Sequence, residues 1–533
     1  YFSLKYDSII HYYNANYYYI KMASTLARAA RRGGHRRFSA AAASKPSRGR
    51  QVFANTELNM GYVDAVGFDY DFTLAAYKPA LQELIYSSAV DYLLTTCKYP
   101  VTLGARSYDP DFAIRGLMFD RKHGTLIKLS SRQQISPGGI FRGRQRLSDD
   151  DAAVLYGGNK YRLHVPYAHL QQHLSPINDT FALAEACLLA DVVQLAVDEG
   201  IPFDPYWLHT DVRKAIEHVH VSGMMHRAVI ATPEEFLDRS PTTTALLRRM
   251  REEGGKKLFL LTNSSFDFVD AGMKFLLDAP SSKEWLELFD VSIFEASKPG
   301  WYRPSPPRPF RRLNVDNSYA KWGEVRPNDI VRGRCLVGGS LNELVQLTGW
   351  ESKSVLYFGD HVFADLQEPA RESGWATGAI ISEVEQTVEV IASQAYADLL
   401  AESSANEAAL LVNDGATEGG VPTKFYTEQR RVNYRRRQSC FNENFGNLFR
   451  SHGDTSSYAG FVQRYADIYT SSIENLMEYP EDYCFRTKPG TLPHEAAGLE
   501  VDAGGWSGTW EGRGNGVWSQ DGEAKGNVPK GGA

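Results

Sequence analysis

Cysteine is scarce. The 533 residues include five, Cys97, Cys187, Cys335, Cys440 and Cys484, all far apart. No CxxC pair and no cysteine zinc spacing occurs, and a disulfide scaffold needs a much higher density. A reducing compartment is the default expectation. Long apolar runs are missing too. No stretch of about 18 uncharged apolar residues exists, which argues against a membrane-spanning helix. The nearest approach, Phe181 to Val197, carries Glu185, Asp191 and Gln194. A net positive charge is also absent. The formal charge is -6, whereas nucleic-acid-binding domains are normally basic, so no nucleic-acid partner is expected. What remains is a chain with 43% hydrophobic residues, enough for a sizeable core, in the proportions of a globular enzyme.

The two ends do not read as fold. The chain begins at Tyr1, and residues 1–21 form a tyrosine-rich run before the first methionine, Met22. That run is expected to be translated upstream sequence. From Met22 to Arg50 there are eight basic residues and no Asp or Glu, among Ala and Ser. Basic, Ser/Ala-rich and acid-free is the composition of an organelle transit peptide. Residues 22–51 are therefore expected to direct the chain to the mitochondrion, a cytoplasmic location being the alternative. Residues 497–533 are rich in Gly and Trp without apolar periodicity, and a disordered tail is expected there.

Between the ends, short apolar runs precede polar residues. Val63–Phe68 leads to Asp69, Lys257–Leu261 to Thr262-Asn263-Ser264, and Phe289–Phe294 to Glu295 and Lys298. Ser354–Phe358 leads to Gly359-Asp360, and Ala376–Ile381 to Ser382-Glu383. Uninterrupted runs of this length mark buried parallel strands, and helical patterns such as Phe266–Leu277 lie between them. The expected fold is α/β: a Rossmann-like, three-layer core around a parallel sheet. In such sheets ligands bind beyond the carboxyl ends of the strands, where these polar residues fall.

The residue types suit phosphate chemistry. Asp69-Tyr70-Asp71-Phe72-Thr73 is a DxDxT motif, and Gly359-Asp360 with Asp365 a GDxxxxD motif. A carboxylate can attack phosphorus and split a very slow hydrolysis into two easier steps. Two anions repel unless a cation lies between them. Mg²⁺ takes oxygen ligands, usually one or two carboxylates with phosphate and water, and Asp69 and Asp360 could supply them. Asp71, two residues on, could protonate the leaving oxygen and then activate water. Thr262, Asn263 and Lys298 would hold the transferring phosphoryl oxygens. Asp365 would either join the metal or orient Lys298. His361 reads as a packed loop histidine, and the arginines at 430–431 and 435–437 as a solvated helix face.

These motifs resemble the haloacid-dehalogenase (HAD) superfamily, more narrowly the cytosolic purine 5′-nucleotidase family, and within it the 5′-nucleotidase domain-containing proteins. The resemblance runs from about residue 52 to 495. It is carried by GFDYDFTLAAY (from Gly67), YDPDFAIRGLMFD (from Tyr108), DVRKAIEHVHVSGMMHR (from Asp211), KKLFLLTNSSFDFVDAGM (from Lys256) and LYFGDHVFADL (from Leu356), among others. It implies a 5′-nucleotidase hydrolysing nucleoside 5′-monophosphates, with Asp69 as nucleophile and Asp71 as acid/base. It places Thr262 and Lys298 on phosphate, and Mg²⁺ on Asp69, the Asp71 main-chain carbonyl and Asp360. A nucleoside phosphotransferase and a weakly active scaffold of the same fold are the alternatives.

About 190 residues separate Asp69 from Thr262, far more than one crossover needs. A large α+β cap is therefore expected at 81–224, inserted between core segments 52–80 and 225–400. Its signs are a helix from Leu81 to Leu94, a hairpin turning at Lys122-His123-Gly124, and helices Thr180–Asp198 and Asp211–His220. The resemblance puts base recognition on the last of these, with Arg213, Glu217 and His220 as candidates. There the chain departs from the purine nucleotidases, with Glu217 for aspartate, Val221 for tyrosine and His226 for lysine. Residues 401–496 are expected to be helical, and the resemblance implies that they help build a homo-oligomer.

Overall fold

The apolar runs form one nine-stranded sheet. The computed structural model describes residues 49–158, 163–303, 306, 308–314, 325–413, 423–451 and 453–487. The run at 1–21, the leader apart from residues 49–51, and the tail at 497–533 lie outside them. In chain order the strands of the two larger sheets are β1 (Phe53–Ala54), β2 (Ala65–Phe68), β3 (Leu117–Asp120), β4 (Thr125–Leu129), β5 (Ile135–Arg142), β6 (Gln145–Arg146) and β7 (Leu174–Ile177). They continue with β8 (Lys257–Leu261), β9 (Val291–Phe294), β10 (Phe310–Leu313), β11 (Arg334–Gly338), β12 (Val355–Gly359), β13 (Ala376–Ile380) and β14 (Ile468–Thr470). The large sheet has the order β1-β14-β13-β12-β2-β8-β9-β11-β10. Its seven inner strands are parallel and its two edge strands antiparallel to their neighbours.

The continuous apolar runs have a physical cause. Val66, Phe68, Leu258, Leu260, Leu356 and Phe358 face one buried cluster, and Ala65, Phe259, Leu261, Val355 and Tyr357 face another on the opposite side. With both faces covered, neither alternate position needs a polar residue. Each large side chain so buried contributes about 1.5–3 kcal/mol. The architecture is mixed α/β with a large, mainly parallel sheet. No helix among the described residues is long and apolar enough to cross a membrane.

The stretch between β2 and β8 carries a second, antiparallel sheet of order β6-β5-β4-β3-β7. Its helices include α1 (Pro79–Thr95), α2 (Asp149–Tyr156), α3 (Tyr167–His173), α4 (Ala182–Asp198) and α5 (Pro205–Val221). The expected hairpin is present, with Leu117 to Asp120 paired against Lys128 to Thr125. Leu117, Phe119 and Leu126 share an apolar cluster with Val66 and Phe68 of the main sheet, so the two sheets are joined by common packing. Helix α5 starts at Pro205 rather than Asp211. Asp204 caps it by accepting from the Tyr206 N–H, and Pro205 supplies a preset first helical residue. Tyr206 and Trp207 are exposed there, so the apolar period begins later than the helix.

The C-terminal region departs from expectation. It contains helices Gln394–Asn413 and Thr423–Ser439, but it also supplies β14, which pairs with β13 and β1 inside the main sheet. Three residues are too few to show a strand period. The arginine run is not simply a solvated face: Arg431 is buried, Arg431 and Arg435 both pair with Asp149, and Arg436 meets Glu402 at 2.8 Å.

Candidate active site

Four parallel strands end side by side, and each hands over to a predicted site residue. Strand β2 leads into Asp69, β8 into Thr262, β9 into the segment ending at Lys298, and β12 into Asp360. Because the strands are parallel neighbours, their carboxyl ends share one edge.

Lys298 is the hub. Its ammonium lies 3.0 Å from Asp69 Oδ1, 2.7 Å from Asp365 Oδ1 and 2.8 Å from the Tyr357 hydroxyl. A lysine has three hydrogens to give, and three acceptors meet them. Tyr357 in turn donates to the Leu261 carbonyl at 2.9 Å, which leaves its oxygen to accept from Lys298. The lysine main chain is fixed as well. The Asn263 amide donates to the Lys298 carbonyl at 3.0 Å, and the Lys298 N–H donates to Asn263 Oδ1 at 2.6 Å. The Asn263 side chain therefore grips the Lys298 backbone, a geometry its place in the motif did not suggest.

Asp365 uses both oxygens. One accepts from Lys298, and the other from the His361 N–H at 3.2 Å. His361 caps the turn that carries Asp365, its ring Nδ1 accepting from Phe363 and Ala364 N–H groups at 3.2 and 3.0 Å. Gly359 permits the approach: a Cβ there would stand 2.2 Å from the Asp365 Cβ.

Asp71 accepts from Tyr77 and Ser264 hydroxyls, each at 2.7 Å. Just beyond it, Phe72 adopts a left-handed backbone with φ 50°, a conformation that costs about 1–3 kcal/mol and is held by its surroundings. Thr262 is fully buried and accepts from the Ser264 N–H at 3.1 Å, which leaves its own hydrogen to donate. Asp360 is met by two residues of the long insertion. Thr180 donates to it at 3.2 Å, and the Arg115 guanidinium lies 3.8 Å away. Arg115 is 1% exposed and holds Glu383 through two bonds of 2.8 and 2.6 Å.

Oxygens of Asp69, Asp360 and Asp365 lie within 4.8 Å of one another, all on buried side chains. Burial pushes the Asp69 carboxyl up to about 8, against the pull of Lys298. Burial likewise raises Asp71 against its two hydroxyl donors, and Asp360, where Asp179 adds to the effect. Burial alone would lower Lys298, but Asp365 and Asp69 outweigh it and hold the ammonium charged. Once ionised, the five carboxylates (Asp69, Asp360 and Asp365 with Asp71 and Glu383) outnumber the cations Lys298 and Arg115, which is why burial favours the protonated forms of Asp69, Asp71 and Asp360 when no cation is bound. At an effective dielectric of 20, two like charges about 4 Å apart repel by roughly 4 kcal/mol. An all-oxygen set with excess negative charge fits Mg²⁺. Asp69 and Asp360 are the better pair for it, since both Asp365 oxygens are already engaged.

The base-recognition candidates are spread along α5. Arg213 is largely exposed and pairs with Glu185 at 3.2 Å, and Glu217 is exposed. His220 packs edge-on against Phe181, with ring centres 5.5 Å apart, and Phe181 packs against Phe72 at 4.8 Å. An aromatic wall thus runs from beside Asp71 to α5. Tyr77, Ser264, Phe72, Phe181, Arg115, Thr180 and Tyr357 were not singled out from sequence as site residues. Tyr77 had a signal, closing the first motif string six residues after Asp71.

The site is thus a buried aspartate cluster at the carboxyl edge of the mainly parallel sheet of a mixed α/β protein. The chain belongs to the 5′ nucleotidase family, whose profile matches residues 52–497. A 5′-nucleotidase domain-containing protein of Dictyostelium discoideum is 38% identical over 453 residues, covering 84% of this chain and 75% of that one. The 5′-nucleotidase domain-containing protein 2 of Rattus norvegicus is 34% identical over 455 residues, covering 84% and 80%. Its Homo sapiens namesake is 33% identical over 453 residues, covering 84% and 85%.

Proposed function

We propose that the protein is a Mg²⁺-dependent phosphatase that hydrolyses nucleoside 5′-monophosphates through an aspartyl-phosphate on Asp69. The observation that carries this reading is the Lys298 ammonium, held against Asp69 by Asp365 and Tyr357 amid an excess of buried carboxylates. Family membership and the names of the relatives support the substrate class.

In this reading an Asp69 oxygen attacks phosphorus as the bond to the 5′ oxygen breaks. Protonated Asp71 gives its proton to that oxygen, so the nucleoside leaves neutral. A water then attacks the aspartyl-phosphate, loses its proton to Asp71, and frees Asp69 and inorganic phosphate. Thr262 takes a phosphoryl oxygen, and so does Lys298 with the hydrogen it now gives to Asp69, keeping Asp365 and Tyr357. Asn263 serves by fixing the Lys298 backbone. Mg²⁺, held by Asp69, Asp360 and the Asp71 carbonyl, would supply the charge neutralisation that lets a phosphate dianion approach this acidic edge. The insertion at 81–224 acts as a cap that excludes water and meets the nucleoside through the wall of Phe72, Phe181 and His220. The helices at 401–496 serve self-association, and the basic leader directs the chain to mitochondria.

The test is phosphate release from a nucleoside monophosphate panel with and without Mg²⁺, for the wild type and Asp69→Asn. Mg²⁺-dependent release that disappears in Asp69→Asn is expected. Turnover that survives the substitution would refute the covalent route.

A further inference from the structure

A second cluster of ligating side chains lies in the insertion, built from different chemistry. We propose that Asp120, His123 and His169 form a metal site for a borderline divalent transition ion such as Zn²⁺, tying together segments of the antiparallel sheet region. It is separate from the aspartate cluster and stands whether or not that cluster hydrolyses phosphate.

The geometry converges on one atom. Asp120 Oδ2 lies 2.8 Å from His123 Nδ1, 2.8 Å from His169 Nε2 and 2.9 Å from the Tyr156 hydroxyl. The three ligand atoms of Asp120, His123 and His169 fall within 4.8 Å of one another. Asp120 ends β3 and is fully buried, while the side chains of His123 and His169 are 16% and 14% exposed, so solvent reaches the rings but not the carboxylate. The ion pairs that Asp120 makes among the described residues are both with histidine, so no lysine or arginine neutralises it.

The carboxylate is aimed beforehand. Its other oxygen, Oδ1, accepts from the Lys122 and His123 N–H groups at 2.9 and 3.2 Å, which turns Oδ2 toward the rings. Such supporting bonds are what hold metal ligands in place. The Tyr156 hydroxyl is further tied to Thr125 Oγ1 at 2.6 Å. The rings of His123 and His169 stack 5.3 Å apart at 13°, and a nitrogen of each meets the same Asp120 oxygen.

Ligand type selects the ion. Imidazole nitrogen suits Zn²⁺, Cu²⁺ and Ni²⁺, whereas Mg²⁺ takes oxygen. Two histidines and a carboxylate leave a fourth tetrahedral position for water. Around Zn²⁺ with ligands at about 2.0–2.1 Å, neighbouring ligand atoms stand about 3.4 Å apart, so the rings need to withdraw by roughly 0.5 Å. The ring hydrogens then move to the outer nitrogens, Nε2 of His123 and Nδ1 of His169. The ion would join the β3–β4 turn to α3, with α2 bound through Tyr156.

The test uses Co²⁺ as a spectroscopic probe and Zn²⁺ for stability, on the full chain stripped of metal. One equivalent of Co²⁺ should give the intense visible bands of a four-coordinate ion, and Zn²⁺ should raise Tm progressively as its concentration rises. Asp69→Asn should keep both responses. His123→Gln and His169→Gln should each lose them, each response being read against that variant's own metal-free Tm, which the loss of a ring partner to the buried Asp120 lowers. Wild-type protein with no four-coordinate Co²⁺ spectrum and no Zn²⁺-dependent Tm shift overturns the proposal. So does a spectrum that both histidine variants retain. If either variant fails to fold, the wild-type responses still decide.

Discussion

Asp365→Asn separates two roles that the same carboxylate could play. Asp365 accepts on both oxygens, from Lys298 at 2.7 Å and from the His361 N–H at 3.2 Å. Asparagine has one acceptor. The carbonyl should stay with the charged lysine, because a charge-assisted bond is the stronger. The new amide then faces the His361 N–H, donor against donor, and an unsatisfied buried group costs about 1–3 kcal/mol. The urea midpoint should fall accordingly. Lys298 also loses a negative neighbour and the strength of a charged bond, worth about 1.5–3 kcal/mol. If that loss appears in the transition state, kcat falls by about tenfold to 150-fold. Half-saturation by Mg²⁺ should stay within a few-fold of wild type, because Asp69 and Asp360 are untouched. The assay is phosphate release over a grid of Mg²⁺ and nucleotide concentrations. A large rise in the Mg²⁺ requirement, with kcat restored at saturating Mg²⁺, would refute the argument and make Asp365 a metal ligand.

Gly359→Ala should do similar damage by sterics, since the new Cβ would meet the Asp365 Cβ at 2.2 Å. Overpacking of this kind costs about 1–3 kcal/mol, and kcat should fall at least as far as in Asp365→Asn; an unchanged kcat would show that Lys298 does not depend on this contact. Lys128 offers a pH test remote from the aspartates. Its ammonium is buried on β4, donates to the Phe445 and Asn447 carbonyls at 2.7 and 2.5 Å, and is pushed down to about 7 by burial. Between that value and the ordinary 10.5, the unfolded chain holds a proton that the folded one does not. Stability from this group therefore rises with pH across that window, by up to about 1.4 kcal/mol per pH unit, and is lost as pH falls through 7. Lys128→Met should show a flatter rise in urea midpoint from pH 7.5 to 9 than wild type; equal slopes would contradict the assignment.

What could be read from sequence follows from how local each signal is. Strands β2, β8, β9, β12 and β13 are buried on both faces, so each shows as an apolar run with a polar residue behind it. Strand β11 begins with Arg334 and Cys335, and β1 and β14 have two and three residues, so no run marks them. Asp69, Asp71, Asp360 and Lys298 each follow a strand directly or by a few residues, which made them legible. Their partners are distant: Ser264 reaches Asp71, Thr180 and Arg115 reach Asp360, and Tyr357 reaches Lys298. Nothing in a one-dimensional pattern fixes such pairs. Asn263 shows the same limit, because residue type suggested a phosphate contact while the geometry gives both ends of its amide to the Lys298 backbone. Asp120 and His123 are close in sequence, but His169 lies on a separate helix among 13 histidines.

The Arg115 contacts bear on how an insertion at 81–224 could cover the site and still admit substrate. Arg115 joins the insertion to two strand ends at once, holding Glu383 after β13 by two bonds and lying 3.8 Å from Asp360 after β12. Tyr458, from the C-terminal region, stacks its ring 5.2 Å from the same guanidinium. Removing one partner of a buried ion pair costs about 3–5 kcal/mol, so this contact is a firm tie between the insertion and the main sheet. Thr180 and Phe181 meet the main-sheet side through one hydroxyl bond to Asp360 and ring contacts with Phe72 and Tyr77, while Gln82 holds the Thr180 carbonyl from within the insertion at 2.8 Å. Under the proposed reaction, the side of the insertion near Arg115 is the more firmly tied one, and the nucleoside is expected to enter and leave on the aromatic side, next to Asp71.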